Sequence, residues 1–379
     1  MFNPASRAEI DPFIVMQMMS DATKREAAGD NVLHLEIGQP STPAPKGVLK
    51  AARVALCNDK IGYTVPLGMT KMREKISKHY RKWYGIEVSI ERIAVTTGSS
   101  GGFSIAVLSA LEHGSRVAIA SPGYPAYRNI LKSLGTEVVC LPADAKDRFQ
   151  PTVAKLEKAG KLDGLIIASP SNPTGTMLNE KAMKKITHWC QTNGVRLISD
   201  EVYHGINFRH RPISALESNP DAIVINSFSK YFSMTGWRIG WMVIPPELLT
   251  SVERLIASFF ISAPTISQFG AIAAFDCIEE AQKNLNRYTL NRDILLNQLP
   301  SAWLDNLAPA DGAFYIYANV AKHTNDSRKF CKRLLTEIGI ACTPGIDFDP
   351  SRGHATIRLS FAGSSKDMME ACKRLKAWL

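Results

Sequence analysis

The chain has 379 residues, 45% of them hydrophobic, enough to bury a large core divided into one large and one small domain. Its 45 lysines and arginines outnumber 35 acidic residues, so the net charge is +10, which raises the rival reading of a nucleic-acid or anionic-surface binder. The basic residues are dispersed, as at Lys181 to Lys185, Arg328 to Arg333 and Lys373 to Lys376; they read as solvated helix faces, and no nucleic-acid-binding motif accompanies them.

Residues 1–45 read as an N-terminal arm, proline-rich at Pro40, Pro43 and Pro45, that crosses to the small domain. Arg92 to Thr97 is a strand running into Gly98-Ser-Ser-Gly-Gly102-Phe and an apolar helical stretch to Leu111. Such a turn can present free backbone N–H groups and the positive end of a helix to an anion, and it can equally be plain strand-to-helix punctuation. It matches neither the dinucleotide nor the Walker fingerprint. Val117 to Ala120 is a buried strand ending at Ser121-Pro-Gly-Tyr124-Pro. Gly164 to Ala168 ends at Ser169-Pro-Ser-Asn172-Pro-Thr-Gly175, and Val195 to Ser199 ends at Asp200-Glu-Val-Tyr203. Ala222 to Ile225 leads into Asn226-Ser-Phe-Ser-Lys230, followed by Gly236 and Arg238.

These five strands, separated by stretches long enough for crossover helices, predict a mostly parallel α/β sheet. Such sheets bind ligands outside the carboxyl ends of their strands, where these polar residues collect. Lys230 is the central candidate. An amine is nucleophilic only when neutral, so burial or a nearby positive charge must lower its pKa. Arg238 and the neighbouring serines suit a phosphate, and the combination suits covalent capture of an aldehyde phosphate. Farther on, Gly312 to Tyr317 reads as a strand, Asp326 to Gly339 as a helix and Thr356 to Phe361 as a second strand. That last strand alternates Ile357, Leu359 and Phe361 against Thr356, Arg358 and Ser360. The seven cysteines are scattered without a CxxC pair, which suits reduced thiols and a cytoplasmic protein. Met1-Phe-Asn-Pro-Ala-Ser-Arg does not read as a leader, and no metal site is expected from the eight histidines.

Taken in order, Gly38-Gln-Pro40, Tyr63, Gly98-Ser-Ser100, Tyr124, Asn172-Pro-Thr-Gly175, Asp200-x-x-Tyr203, Ser227-x-x-Lys230, Arg238 and Arg358 resemble the class I/II pyridoxal-phosphate-dependent aminotransferases of the aspartate aminotransferase superfamily, fold type I. The resemblance covers nearly the whole chain. It implies a large domain, residues 46–280, with a mostly parallel seven-stranded-type sheet between helices. A smaller α+β domain would be built from 1–45 and 281–379.

The resemblance further implies pyridoxal 5'-phosphate as cofactor, with Lys230 as the Schiff-base lysine that later shuttles the proton. Asp200 would pair with the pyridine nitrogen and keep it protonated, so that the ring acts as an electron sink; on residue type alone it could be a helix N-cap. Tyr203 and Asn172 would hydrogen-bond the cofactor's phenolic oxygen, although Tyr203 alone could be a packed aromatic. Tyr124 would stack on the ring or simply occupy its Pro-Gly turn. Ser99, Ser100, Ser227 and Arg238 would form the phosphate cup. Arg358 would grip the substrate α-carboxylate, where the alternation by itself reads as a solvated face; Asn172 and the backbone at Gly38 would lie beside the substrate.

Tyr63 would reach the phosphate of the neighbouring subunit, making the active unit a homodimer. The resemblance also implies a cis peptide at Asn172–Pro173. The reaction would be transamination from an amino acid to a 2-oxo acid, with a PLP-dependent C–S or β-elimination lyase as the alternative. The uncharged stretch Ser258 to Ile266, with Phe259 and Phe260, points to a neutral donor, unless those rings are helix core. Phe13 and Ile14 in the arm are available to cover the pocket.

Overall fold

The computed structural model describes residues 3–305 and 307–379; Met1 and Phe2, at the start of the segment read as lacking a leader, lie outside them, as does Asn306. Twelve strands are present among the described residues. The arm contributes β1 (Leu33–His34). A central sheet follows, built from β2 (Ile93–Thr96), β3 (Arg116–Ser121), β4 (Glu137–Pro142), β5 (Gly164–Ala168), β6 (Arg196–Asp200), β7 (Ile223–Ser227) and β8 (Gly240–Val243). The carboxyl-terminal third adds β9 (Tyr315–Asn319), β10 (Ile340–Ala341), β11 (Thr343–Pro344) and β12 (Thr356–Ser360).

The central sheet has the order β2-β8-β7-β6-β5-β3-β4. Only β8 runs against the rest, pairing antiparallel with both β2 and β7. The carboxyl ends of β2, β3, β5, β6 and β7 therefore all point to one edge, as the five runs predict. β4 and β8 were not read from the sequence. β4 is an edge strand whose apolar run Val138 to Leu141 has only Leu141 buried; β8 is four residues long and opens on a glycine.

Val224, Ile225 and Ile223 are fully buried between helical layers, consistent with a continuous β-branched run covered on both faces. Helix Ile278–Gln298 leads from the central sheet to the small sheets. One is the antiparallel β11-β12-β9; in the other, β1 of the arm pairs parallel with β10. β9 begins at Tyr315, three residues later than expected, because Gly312 is taken up in an isolated bridge to Asn207. Ile357 to Phe361 are all buried, so the face bearing Arg358 is not solvated.

Candidate active site

The five aligned strand ends open onto a cavity of about 560 Å³. Gly38, Ser99, Ser100, Tyr124, Asn172, Asp200, Tyr203, Lys230, Arg238 and Arg358 all line it. A larger groove of about 890 Å³ lies elsewhere, beside helix Glu180–Thr192, and gathers no comparable set of groups.

Lys230 follows β7 and donates from Nζ to the Gly38 carbonyl at 2.7 Å. Burial pushes its pKa down from 10.5 to about 8; the positive charges of Arg358 and Arg238 add to that, and Asp200 opposes it. Asp200, the last residue of β6, accepts from the Val202 N–H at 3.0 Å and from the Tyr127 hydroxyl. Burial raises its pKa from 3.8 to about 6 despite those two bonds. A buried carboxylate with one open side is suited to a cation or an N–H donor.

Tyr203 stands above the same turn, its hydroxyl 2.6 Å from that of Tyr315. Burial holds the Tyr203 phenol far above its ordinary pKa, so it keeps its proton and acts as a donor. Behind it, His204 is pushed down to about 3 by burial and is neutral. One ring nitrogen lies 2.8 Å from the Ser169 carbonyl and the other 2.7 Å from the Tyr84 hydroxyl, which locks the β5 and β6 turns together.

Arg358 reaches the cavity from β12 and is only 3% exposed. Its Nη1 donates to Asn172 Oδ1 at 2.8 Å, and Nη2 to the Glu36 carbonyl and, at 3.3 Å, to Thr343 Oγ1. The guanidinium lies 4.4 Å from the Tyr315 ring centre and 4.8 Å from that of Phe348. Close to both aromatic rings and with Nε unpartnered, it is suited to a planar anion. The Asn172–Pro173 peptide is cis.

At the opposite end, helix Gly98–Ala110 points its first turn into the cavity, and no side chain caps it. Gly98 has φ +70°, and a Cβ there would lie 2.5 Å from Arg238 Nη2. Only glycine lets the guanidinium approach this turn so closely. Free N–H groups, Ser99, Ser100 and Arg238 together form an anion site.

Two expected residues do not line the cavity. The Ser227 hydroxyl turns back to Ser229 Oγ at 2.9 Å and to the Ile239 carbonyl at 3.3 Å, and Ser229 lines the cavity in its place. Tyr63 is 82% exposed on the surface. Phe259 and Phe260 are exposed as well, so they are not helix core, and neither reaches the cavity of its own chain. The arm does cover the cavity through Phe13, but Ile14 is buried away from it; Val15, Met16 and Met19 contribute instead.

Sequence reasoning missed Tyr315 and Tyr127. Tyr127 follows Tyr124 by three residues across the start of helix Pro125–Ser133, a spacing that puts both rings on one side. Tyr315 opens β9, inside the run read as a strand, but its direction is set by pairing with Ser360 of β12.

The family model described as "Aminotransferase class I and II" matches residues 30–375. The valine–pyruvate aminotransferase of Mycobacterium tuberculosis is 46% identical over 380 residues, covering 99% of this chain and 98% of that protein. The crystal structure of an aminotransferase from M. tuberculosis superposes with a TM-score of 0.98 at 45% identity, over 100% of this chain and 99% of the other. Aspartate aminotransferase from Thermus thermophilus with maleate gives 0.93 at 26% identity, over 100% of both chains. The whole-chain match and the mostly parallel seven-stranded sheet agree, and the chain belongs to the class I and II aminotransferases.

Proposed function

We propose that this aminotransferase moves the amino group of a neutral L-amino acid to a 2-oxo acid on pyridoxal phosphate held by Lys230. The observation that carries the reading is the pairing, in one cavity, of a lysine pushed down to about 8 with a carboxyl pushed up to about 6. The cavity residues fit that cofactor: the uncapped helix turn with Ser99, Ser100 and Arg238 suits its phosphate, and Asp200 its ring nitrogen. Tyr203 supplies a hydroxyl donor to the phenolic oxygen, with Asn172 beside it, and Tyr124 supplies a face for the ring. Ser227 orients Ser229 rather than touching the phosphate.

When bound, the cofactor supplies the electron sink that makes the substrate Cα–H acidic. The protein supplies the rest. Arg358 holds the α-carboxylate and so fixes the substrate. Lys230 Nζ, whose lowered pKa leaves it neutral more often than an ordinary lysine, would take up the substrate Cα proton and hand it back. Asp200 would sit against the ring nitrogen and, once ionised there, favour its protonated form. Tyr127 and the Val202 N–H keep that carboxylate oriented.

The neutral-donor reading rests on the cavity's cations, which are Lys230, Arg238 and Arg358. Each has a role above, leaving none within the chain for a second substrate carboxylate. Phe13, Val15, Met16, Met19, Ile37 and Phe103 provide an apolar side instead. The relatives' names include both a valine–pyruvate and an aspartate enzyme, so substrate choice varies within the family.

A homodimer is supported by surface apolar residues at Ile61, Tyr63, Val65, Phe259, Phe260 and Ile261, on two segments joined by a 3.4 Å bond from the Thr64 N–H to Ser262 Oγ. Tyr63 would act from there on the partner's phosphate site. The deciding test compares kcat/KM across an amino-acid panel. Aspartate exceeding every neutral donor by about a hundredfold, roughly 2.7 kcal/mol in transition-state binding, would overturn the neutral-donor reading.

A further inference from the structure

The apolar side of the cavity is carried by the first turn of the arm helix Ile14–Ala27, whose N-cap is Phe13, a residue with no capping group. The cap comes from far along the chain. Asp347 Oδ1 accepts the Ile14 N–H at 3.1 Å and Oδ2 the Val15 N–H at 3.3 Å, 333 and 332 residues away in sequence. Asp347 is 3% exposed, and its position is itself fixed. Arg128 donates from Nη2 to the Asp347 carbonyl at 2.7 Å and from Nη1 to the Phe348 carbonyl at 3.2 Å. Arg128 belongs to helix Pro125–Ser133, which starts directly after Tyr124, and Phe348 packs on the Arg358 guanidinium. The Asp347–Phe348 segment thus ties three parts of the site together: its carboxylate holds the arm helix, its backbone carbonyls the Tyr124 helix, and the Phe348 ring packs on Arg358 of β12.

The arm helix buries Ile14, Met18 and Ala22 against the protein at i, i+4, i+8 spacing. Phe13, Val15, Met16 and Met19 are left to the cavity, and Met16 is still 52% exposed, apolar surface available to a ligand. All but Met19 sit on the capped turn or next to it. Losing an N-cap leaves the N–H groups of that first turn without partners and loosens it.

We propose that Asp347 is a specificity-determining positioning residue: by docking the arm helix it sets Phe13, Val15 and Met16 as a wall for an extended apolar side chain of the amino donor. The inference rests on the neutral-donor reading above. A donor ending at Cβ meets the groups around Lys230 and Arg358 and hardly touches the wall. Each further methylene is buried against it, and only those gains depend on Asp347.

The test uses the straight-chain series alanine, 2-aminobutyrate, norvaline and norleucine with holoenzyme of the unmodified protein, Asp347→Asn, Asp347→Ala and Met16→Ala. For the unmodified protein, kcat/KM should rise about fourfold per methylene, the equivalent of ~0.8 kcal/mol buried. In Asp347→Ala the step should fall below about twofold, with norleucine losing most. Asp347→Asn keeps an acceptor oxygen and should lie between, and Met16→Ala should flatten the upper steps with the cap intact. Amide hydrogen exchange of cofactor-free Asp347→Ala should show the Ile14 and Val15 amides exchanging at least tenfold faster. Equal losses for all four donors, or unchanged protection of those amides, would overturn the role of Asp347. A flat series in the unmodified protein would overturn the wall itself. A preference for acidic donors would instead strike the neutral-donor reading on which both depend.

Discussion

The lowered pKa of Lys230 makes a prediction about the cofactor-free protein that does not depend on turnover. A drop from 10.5 to about 8 enlarges the neutral fraction at pH 7 by roughly 300-fold over an ordinary lysine. The leading cause is burial at the strand end, followed by the like charges of Arg358 and Arg238. Competitive acetylation with trace acetic anhydride, read by peptide mass spectrometry, reports that fraction directly. Labelling of Lys230 should rise about tenfold per pH unit up to pH 8 and then level off, while surface lysines continue to rise. Arg358→Met should move the plateau upward, by about one pH unit or ~1.4 kcal/mol, because it removes a like charge that lowers the lysine. The linkage has a definite sign. The folded state binds fewer protons at Lys230 than the unfolded chain does between pH 8 and 10.5, so this residue's contribution to stability improves as pH rises across that window and is constant below it. A labelling curve for Lys230 that climbs without a break through pH 10 would refute the argument.

Four other outcomes follow from the site. Arg358→Lys keeps the charge and loses the fork, so kcat/KM for amino acids should fall 10²- to 10³-fold, roughly 3–4 kcal/mol, while an amine lacking the carboxylate is unaffected; equal losses on both would remove Arg358 from the carboxylate. Asp200→Asn should lower kcat at least about a thousandfold, or ~4 kcal/mol, with pyridoxal phosphate still fixed to Lys230 by borohydride, and a loss under tenfold would contradict its pairing with the ring nitrogen. Tyr315→Phe removes the partner 2.6 Å from the Tyr203 hydroxyl, and should shift the pH dependence of the bound cofactor's absorbance; an unchanged profile would leave Tyr315 a packing residue. For Tyr63, mixed dimers of Lys230→Ala and Tyr63→Phe chains should contain one site with both native residues and recover activity above either parent, and no recovery would confine Tyr63 to its own subunit.

The fold was legible where strands are buried on both faces and end in punctuation. The run Ala222 to Ile225 could hardly be anything but a central strand, and Lys230 follows from its end. β8 was lost because four residues beginning with Gly240 carry too little pattern. β4 was missed although Val138 to Leu141 form an apolar run. Side-chain direction was harder than position. Ser227 and Ser229 alternate in the sequence, and which one lines the cavity depends on the Ile239 carbonyl across the strand end, twelve residues away. Arg358 shows the converse. Its strand alternates as a half-solvated strand would, yet the arm segment at Glu36 and the Asn172 turn close over the polar face and turn it into an interior.

That contrast explains why the groups at the strand ends could be read in the sequence more fully than the wall facing the donor. Apart from Arg358 on β12 and Arg238 ahead of β8, the groups assigned to the chemistry sit at or just past the ends of β2, β3, β5, β6 and β7, and a parallel sheet brings successive strand ends to one edge whatever lies between them. Each therefore leaves a local signature of apolar run, turn and polar residue. The wall facing the donor has no such anchor. Phe13, Val15 and Met16 sit on a helix whose first turn is held by a carboxylate more than three hundred residues later, which is held in turn by Arg128. A contact of that separation leaves no periodicity in either segment, since each end looks like an ordinary helix start or an ordinary acidic loop. Sheet geometry gathers the chemical groups at one edge, and a long-range cap such as Asp347 can set the wall beside them without touching any of them.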